Sequence, residues 1–257
     1  MSALLEIDGV SKAYGGVQAL ASCSLEVAEG TITGLIGPNG SGKTTLFNVV
    51  TGYEQVSAGA VRFRGRPITN QSPDRVFKLG IGRTFQLTRI FSRLTVMENM
   101  LVATQHHEGW VRSMTRRGSS AGERRRALEL LAFVGLAGHA GEAAGTLSYG
   151  QRKLLELAYV LIADPAVLLL DEPAGGVNPS LIHYIAERIR ELNRQGRTFL
   201  VVEHNMEFVM GLCERVTVMH QGCVIVSGSP AEVRADPRVL DAYLGGGDDE
   251  EEGAGAA

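Results

Sequence analysis

Apolar and polar positions follow two different rhythms along the chain. Short runs rich in β-branched residues, at Leu4–Asp8, Ser24–Val27 and Thr31–Ile36, predict strands, and Ala60–Phe63 and Ile81–Phe85 predict two more. A helix is expected over Lys43–Thr51, directly after the third run. From about Thr95 to Ala163 the spacing becomes helical, which predicts helices over Val96–Thr104, Glu123–Val134 and Gln151–Ile162. Strand–helix alternation then resumes. Val167–Asp171 is a continuous apolar run closed by an acid, the pattern of a strand covered on both faces. Helices are expected at Pro179–Arg194, Asn205–Cys213 and Pro237–Leu244, and strands at Thr198–Glu203, Val216–His220 and Val224–Val226. Gly245–Ala257 is rich in Gly and Ala around the acidic block Asp248–Glu252 and is expected to be a disordered tail. The pattern as a whole predicts an α/β fold, a parallel-sheet core interrupted by a helical insert, with no internal repeat.

A chain of 257 residues is long enough for one large α/β domain. The expected division is a single domain over 4–244, its core formed by 4–88 and 164–228. A helical subdomain is expected at 89–163, with an insert at 105–126, and a helical end at 229–244. The net charge is only −3, so no broad basic field argues for nucleic acid as a partner. Cys23, Cys213 and Cys223 show neither CxxC nor metal-ligand spacing and read as free, mostly buried thiols of a reducing compartment. The first residues carry acids where a leader needs bases, and no apolar run approaches the ~18 residues of a membrane span. A soluble chain that docks on a membrane protein fits these observations.

Candidate chemistry begins at Gly37-Pro38-Asn39-Gly40-Ser41-Gly42-Lys43-Thr44-Thr45, which fits G-x-x-x-x-G-K-[ST] between a predicted strand and a predicted helix. Glycines there let successive backbone N–H groups curl around an anion, and the helix N-terminus adds partial positive charge at the same place. Lys43 can reach the β- and γ-phosphates of a nucleotide, and the Thr44 hydroxyl can ligate Mg2+. The loop alone does not separate kinases, GTPases and ATPases. Asp171 and Glu172 close a buried strand whose end shares an edge with this loop. Asp171 can hold Mg2+ through water, and Glu172 can act as general base on the attacking water. An acidic turn closed by Pro173 is the plainer alternative.

Leu147-Ser148-Tyr149-Gly150-Gln151 precedes a Leu/Ala-rich helix, and a Ser-x-x-Gln capping box alone accounts for Ser148 and Gln151. The order of motifs says more. Phosphate loop, Gln86, Leu-Ser-Tyr-Gly-Gln, Leu-Leu-Leu-Asp-Glu-Pro and His204 follow one another as in ATP-binding-cassette (ABC) ATPases, which the chain resembles from Leu4 to Gly228. That resemblance implies a P-loop NTPase core with a parallel sheet, an N-terminal antiparallel β portion and an inserted helical subdomain. It implies ATP and Mg2+ as ligands. Tyr14 matches the aromatic that stacks on adenine, Gln86 the glutamine that touches Mg2+ and the water, and His204 the histidine that contacts the γ-phosphate. Unaided, Tyr14 also reads as a strand-end core residue, Gln86 as a solvated loop residue and His204 as a helix cap. In the family, Ser148 and Gly150 contact the γ-phosphate bound by the other subunit, with Gln151 beside them, so each site is split across a head-to-tail dimer. One departure is Asn178, in Ala174-Gly-Gly-Val-Asn178-Pro179, where the family commonly has an aspartate that couples the two sites.

Arg83–Phe91, Thr95–Asn99, Glu203–Met206, Ala242–Gly245 and the long insert after Ala103 resemble the ATPase subunits of branched-chain amino acid importers, motifs shared with urea and amide uptake systems. The resemblance implies a second ATPase subunit (a hetero- or homodimer), two transmembrane permease subunits and, indirectly, an extracytoplasmic substrate-binding protein. It places the chain peripherally on the cytoplasmic face of the inner membrane. Ile90, Phe91, Leu94 and Met97 are expected to line the groove that receives a permease helix, unless they are plain core. The insert carries His106, His107, Trp110, Arg112, Arg116, Arg117, Arg124, Arg125 and Arg126, a solvated face or a contact with lipid headgroups or the membrane subunit, and the adjacent histidines have no carboxylate or cysteine partner at metal-ligand spacing. Two other readings compete. A soluble cassette acting on DNA or ribosomes usually carries a second cassette, a coiled coil or a zinc module, and a small-molecule kinase or GTPase leaves Leu-Ser-Tyr-Gly-Gln without a role.

Overall fold

The computed structural model describes residues 3–84, 90–105 and 120–244. Gln86, the histidines and tryptophan of the insert, Arg112, Arg116, Arg117 and the tail 245–257 lie outside the described residues.

A six-stranded sheet forms the centre. Its order is β10 (Cys223–Gly228), β9 (Arg215–His220), β3 (Ile32–Ile36), β8 (Thr198–Val202), β7 (Val167–Asp171) and β6 (Ile81–Arg83). All pairings are parallel except β9–β10. Every residue of β3, β7 and β8 is buried, and the side chains of each divide by parity between two cores. Val167, Leu169, Leu200 and Val202 face one core, while Leu168, Leu170, Phe199 and Val201 face the other. A period of two with both faces covered is why β7 reads as a continuous apolar run, whereas Thr33 and Gly34 interrupt β3.

The first core lies under a four-stranded antiparallel sheet, ordered β2 (Val17–Ala28), β1 (Ala3–Tyr14), β4 (Ala58–Phe63), β5 (Arg66–Pro67), and also takes Leu46 and Phe47 of α1 (Lys43–Val50). The β1–β2 hairpin is much longer than the two short strands predicted there. Its pairing shifts register four times, and those irregularities break the alternation that marks a strand. The second core is covered by α3 (Val96–Gln105), α4 (Ala121–Phe133), α5 (Tyr149–Leu161), α6 (Pro179–Arg194) and α7 (Met206–Leu212). One short helix, α2 (Pro73–Lys78), is not among those expected, and α8 (Pro230–Ala235) falls within the helical end expected at 229–244. Both start with Ser-Pro, and Ser229 with Glu232 forms a full capping box. The last helix is α9 (Pro237–Leu244).

Cys23 and Cys213 are buried, Cys223 is half-buried, and all three are free. Burial pushes the thiols of Cys23 and Cys213 up to about 12. Among the described residues, no helix is long and apolar enough to cross a membrane and no cluster of His, Cys, Asp or Glu has metal-site geometry.

Candidate active site

The loop between β3 and α1 bends around a cavity of about 290 Å3 lined by Asn39 through Thr45 together with Ala19, Glu172, Val202 and His204. Only glycine fits at two of its corners. Gly37 has φ of 150°, and a Cβ there would lie 2.1 Å from the Met219 carbonyl; Gly42 has φ of 101°, and its Cβ would lie 2.6 Å from the Ala19 carbonyl. Lys43, only 6% exposed, turns its ammonium back onto the loop. Its Nζ donates to the carbonyls of Gly37 and Pro38, both at 2.8 Å, and to Ser41 Oγ at 3.3 Å. Burial lowers its pKa, and the carboxylates of Glu172 and Asp171 oppose that shift.

Asp171 and Glu172 sit at the C-terminal end of β7, beside the loop, as the switch-point geometry of a parallel sheet requires. Asp171 is 5% exposed and pairs at 3.0 Å with Arg83 of β6, while its N–H donates to Thr84 Oγ1. Arg83 also donates to Asn48 Oδ1 at 2.7 Å and Thr51 Oγ1 at 3.2 Å, so it ties α1, β6 and β7 together. Glu172 has φ of 49°, a left-handed conformation that a non-glycine residue holds only under constraint. The constraints are visible. Its N–H donates to the Val202 carbonyl at 2.9 Å, and its carbonyl accepts from Gly175 N–H at 3.1 Å and from Lys153 Nζ. Its Oε1 lies 2.8 Å from His204 Nε2.

His204 does not cap the following helix; Asn205 does, its side chain accepting from Phe208 N–H. Tyr14 is the last residue of β1, not a residue beyond a strand ending at Asp8, and it is 44% exposed rather than a core residue. Its hydroxyl lies near Glu54 and Thr45, and the Lys12 ammonium lies 4.8 Å from its ring centroid. Burial, and then the Glu54 charge, raise its pKa.

Ser148, Tyr149, Gly150 and Gln151 do not line the cavity. Ser148 caps α5 and forms the capping box with Gln151, and Gly150 is packed so tightly that a Cβ would come 2.0 Å from Leu181 Cδ2. Asn178 is likewise a cap, accepting from Leu181 N–H at 2.9 Å. Arg83 and Lys153 were missed as site residues by the sequence reading. Arg83 stands inside the expected strand Ile81–Phe85 and Lys153 on the Leu/Ala-rich helix, and only the structure shows that Lys153 is 8% exposed.

A separate groove of about 420 Å3 runs between the sheet and the helical layer, lined by Ile90 and Phe91 together with Tyr53, Phe77, Tyr159 and Val160. Leu94 and Met97 do not line it, and Met97 belongs to the second core. Arg124, Arg125 and Arg126 are exposed; Arg125 pairs with Glu129 at 3.1 Å and Arg126 reaches Asp164 at 4.0 Å.

A family model for ABC transporters matches residues 20–175, and one for branched-chain amino acid ATP-binding cassette transporters matches residues 223–249. The chain belongs to the ABC transporter family. As an ABC ATPase, the chain is similar to the high-affinity branched-chain amino acid transport ATP-binding protein LivG of Salmonella typhimurium, 39% identical over 94% of this chain and 98% of the relative. A probable branched-chain amino acid transport ATP-binding protein of Archaeoglobus fulgidus is also 39% identical, over 96% of this chain and 97% of the relative. Among solved structures, the ADP conformation of an ATP-binding cassette of an ABC transporter matches with a TM-score of 0.86, 34% identity, and coverage of 95% of this chain and 100% of that one. A dimeric post-hydrolysis cassette bound to ADP and Pi matches at 0.77 and 26% identity, over 88% of this chain and 98% of that one.

Proposed function

We propose that this ABC ATPase energises an importer of branched-chain amino acids from the cytoplasmic face of the membrane. The observation that carries the reading is the pairing of a built phosphate loop and hydrolytic edge with full-length similarity to branched-chain amino acid transport ATP-binding proteins. ATP enters the cavity at Asn39–Thr45 with its phosphates on the loop amides and α1 N-terminus. Lys43 then exchanges the carbonyls of Gly37 and Pro38 for β- and γ-phosphate oxygens. Tyr14, beside Thr45, is placed to take the adenine face.

Hard oxygen donors suit Mg2+, and the Thr44 hydroxyl and Asp171 carboxylate are of that chemistry. They would hold the ion with Gln86, and it would offset charge on the β- and γ-phosphates. Glu172 takes a proton from water as the water oxygen attacks the γ-phosphorus. The bond to the β–γ bridging oxygen breaks, and ADP and phosphate leave. His204, 2.8 Å from Glu172, steadies the base and meets the γ-phosphate. Ser148, Gly150 and Gln151 serve the ATP of a second ATPase subunit, identical or different. Closure and reopening of that dimer move two permease subunits, which receive cargo from an extracytoplasmic binding protein. The Ile90–Phe91 groove is the candidate seat for a permease helix.

The test is uptake of labelled leucine, isoleucine and valine by cells whose only copy carries Lys43→Ala, alongside recovery of tagged wild-type chain from membranes. Loss of that uptake and co-recovery of permease subunits support the reading. Loss of urea or amide uptake instead would move the cargo, and recovery with ribosomes or DNA would sink the transporter assignment.

A further inference from the structure

Glu203 is 2% exposed, yet it lies in none of the roles described above. A buried carboxylate is costly unless its oxygens are satisfied, and here both are. Oε1 accepts from Ala174 N–H at 2.5 Å; Oε2 accepts from His204 N–H at 3.0 Å and Asn205 N–H at 3.3 Å. Ala174 follows Glu172 across Pro173, and His204 is the residue whose ring meets Glu172. The Glu172–Ala174 segment is therefore held to the turn after β8 at two backbone donors, Glu172 N–H on the Val202 carbonyl and Ala174 N–H on Glu203. Pro173, between them, has no N–H to offer. Burial pushes the Glu203 carboxyl up and the three amides pull it back down, while the Glu172 charge raises it.

The geometry points to Glu203 as a positioning residue for hydrolysis: its carboxylate clasps the segment bearing the base to the turn bearing His204, so that the two move as one unit. This rests on the assignment of Glu172 as the base. Glutamine is not a conservative replacement at this site. Every partner of the carboxylate is an N–H donor, so the NH2 of a glutamine must face at least one donor and leave it unpaired. Aspartate keeps both acceptors on an arm one methylene shorter.

The test compares wild type, Glu203→Gln and Glu203→Asp as full chains, and assembled with the partner subunits. In Glu203→Gln, amide exchange at Ala174, His204 and Asn205 should accelerate at least about tenfold while exchange over Gly37–Thr45 stays unchanged. In the assembly its kcat should fall by about 10–100-fold, with KM for ATP held within about threefold, as for an interaction that orients reacting groups without binding substrate. Glu203→Asp should lie between the two. A Glu203→Gln variant with wild-type exchange and kcat, or a Glu203→Asp variant slower than Glu203→Gln, overturns the clasp. If Glu203→Gln shows no cooperative thermal transition, Glu203→Asp decides alone: reduced kcat at unchanged KM supports the clasp, and wild-type kcat overturns it. Glu172→Gln in the same assay separates the two ideas. Its retained hydrolysis would remove the base, whereas the exchange measurement reads the clasp regardless.

Discussion

The phosphate-loop edge and the Leu147–Gln151 segment are built in opposite ways. At the loop edge, groups from β2, the loop after β3, α1, β8 and the turns after β7 and β8 converge on one cavity, and the chain supplies its own counter-charges: Lys43 on the loop carbonyls, Arg83 on Asp171, Lys153 on the Glu172 carbonyl. At Leu147–Gln151 a capped helix N-terminus stands exposed at Ser148 and Tyr149, away from that cavity. On the proposed division of each site between two chains, the first region would hold the nucleotide and the second would meet the nucleotide held by the partner.

The strongest way to break the comparison is Glu172→Gln. Removing a general base lowers rates by roughly 10²–10⁴-fold, so ATP turnover in the assembled ATPase should fall on that scale. Binding should persist, and size-exclusion chromatography with ATP should show dimer accumulating. Wild-type turnover would take the base away from the loop edge altogether.

Lys43→Ala comes next. Hydrogen bonds to charged groups contribute about 1.5–3 kcal/mol, which is roughly 10–100-fold in nucleotide affinity. Equilibrium binding of a fluorescent ATP analogue measures it, and unchanged affinity would deny the loop its role. Lys43 already has three partners within the loop, so part of the loss is offset by contacts that the triphosphate would displace.

Ser148→Ala separates the two regions most cleanly. Loss of the cap should lower stability by about 1 kcal/mol, visible as a small drop in thermal midpoint. ATP affinity of the isolated chain should not change, because Ser148 does not line the cavity. Turnover of the assembly should fall. A changed affinity in the isolated chain would place this segment in its own site, against the split.

Legibility in the sequence follows the same division. β7 and β8 were readable because burial on both faces leaves a largely apolar run, and the loop was readable because Gly37 and Gly42 stand where backbone atoms exclude a Cβ. Arg83 was not, since its partner Asp171 lies 88 positions away and nothing local hints at the pairing. The extent of β1–β2 was obscured by register shifts, whereas α2 and α8 carried readable Ser-Pro starts. Ser148 shows the harder limit. Its capping box is real, and a satisfied local motif conceals any further use of the same residue.

Asn178→Asp should produce the smallest effect, and it probes the link between the regions. Asn178 starts α6, the helix whose Leu181 packs on Gly150, and its side chain accepts from Leu181 N–H. Asparagine and aspartate cap about equally well, and a negative charge at a helix N-terminus adds only about 0.3–1 kcal/mol. Thermal stability of the isolated chain should therefore rise slightly or stay level. If the carboxylate that the family commonly has here couples the two ATP sites, the Hill coefficient for ATP hydrolysis in the assembly should rise while that of the isolated chain does not. A marked loss of stability would show that Asn178 does more than cap. An unchanged Hill coefficient would show that the hydrogen bond, not the charge, is what this position contributes.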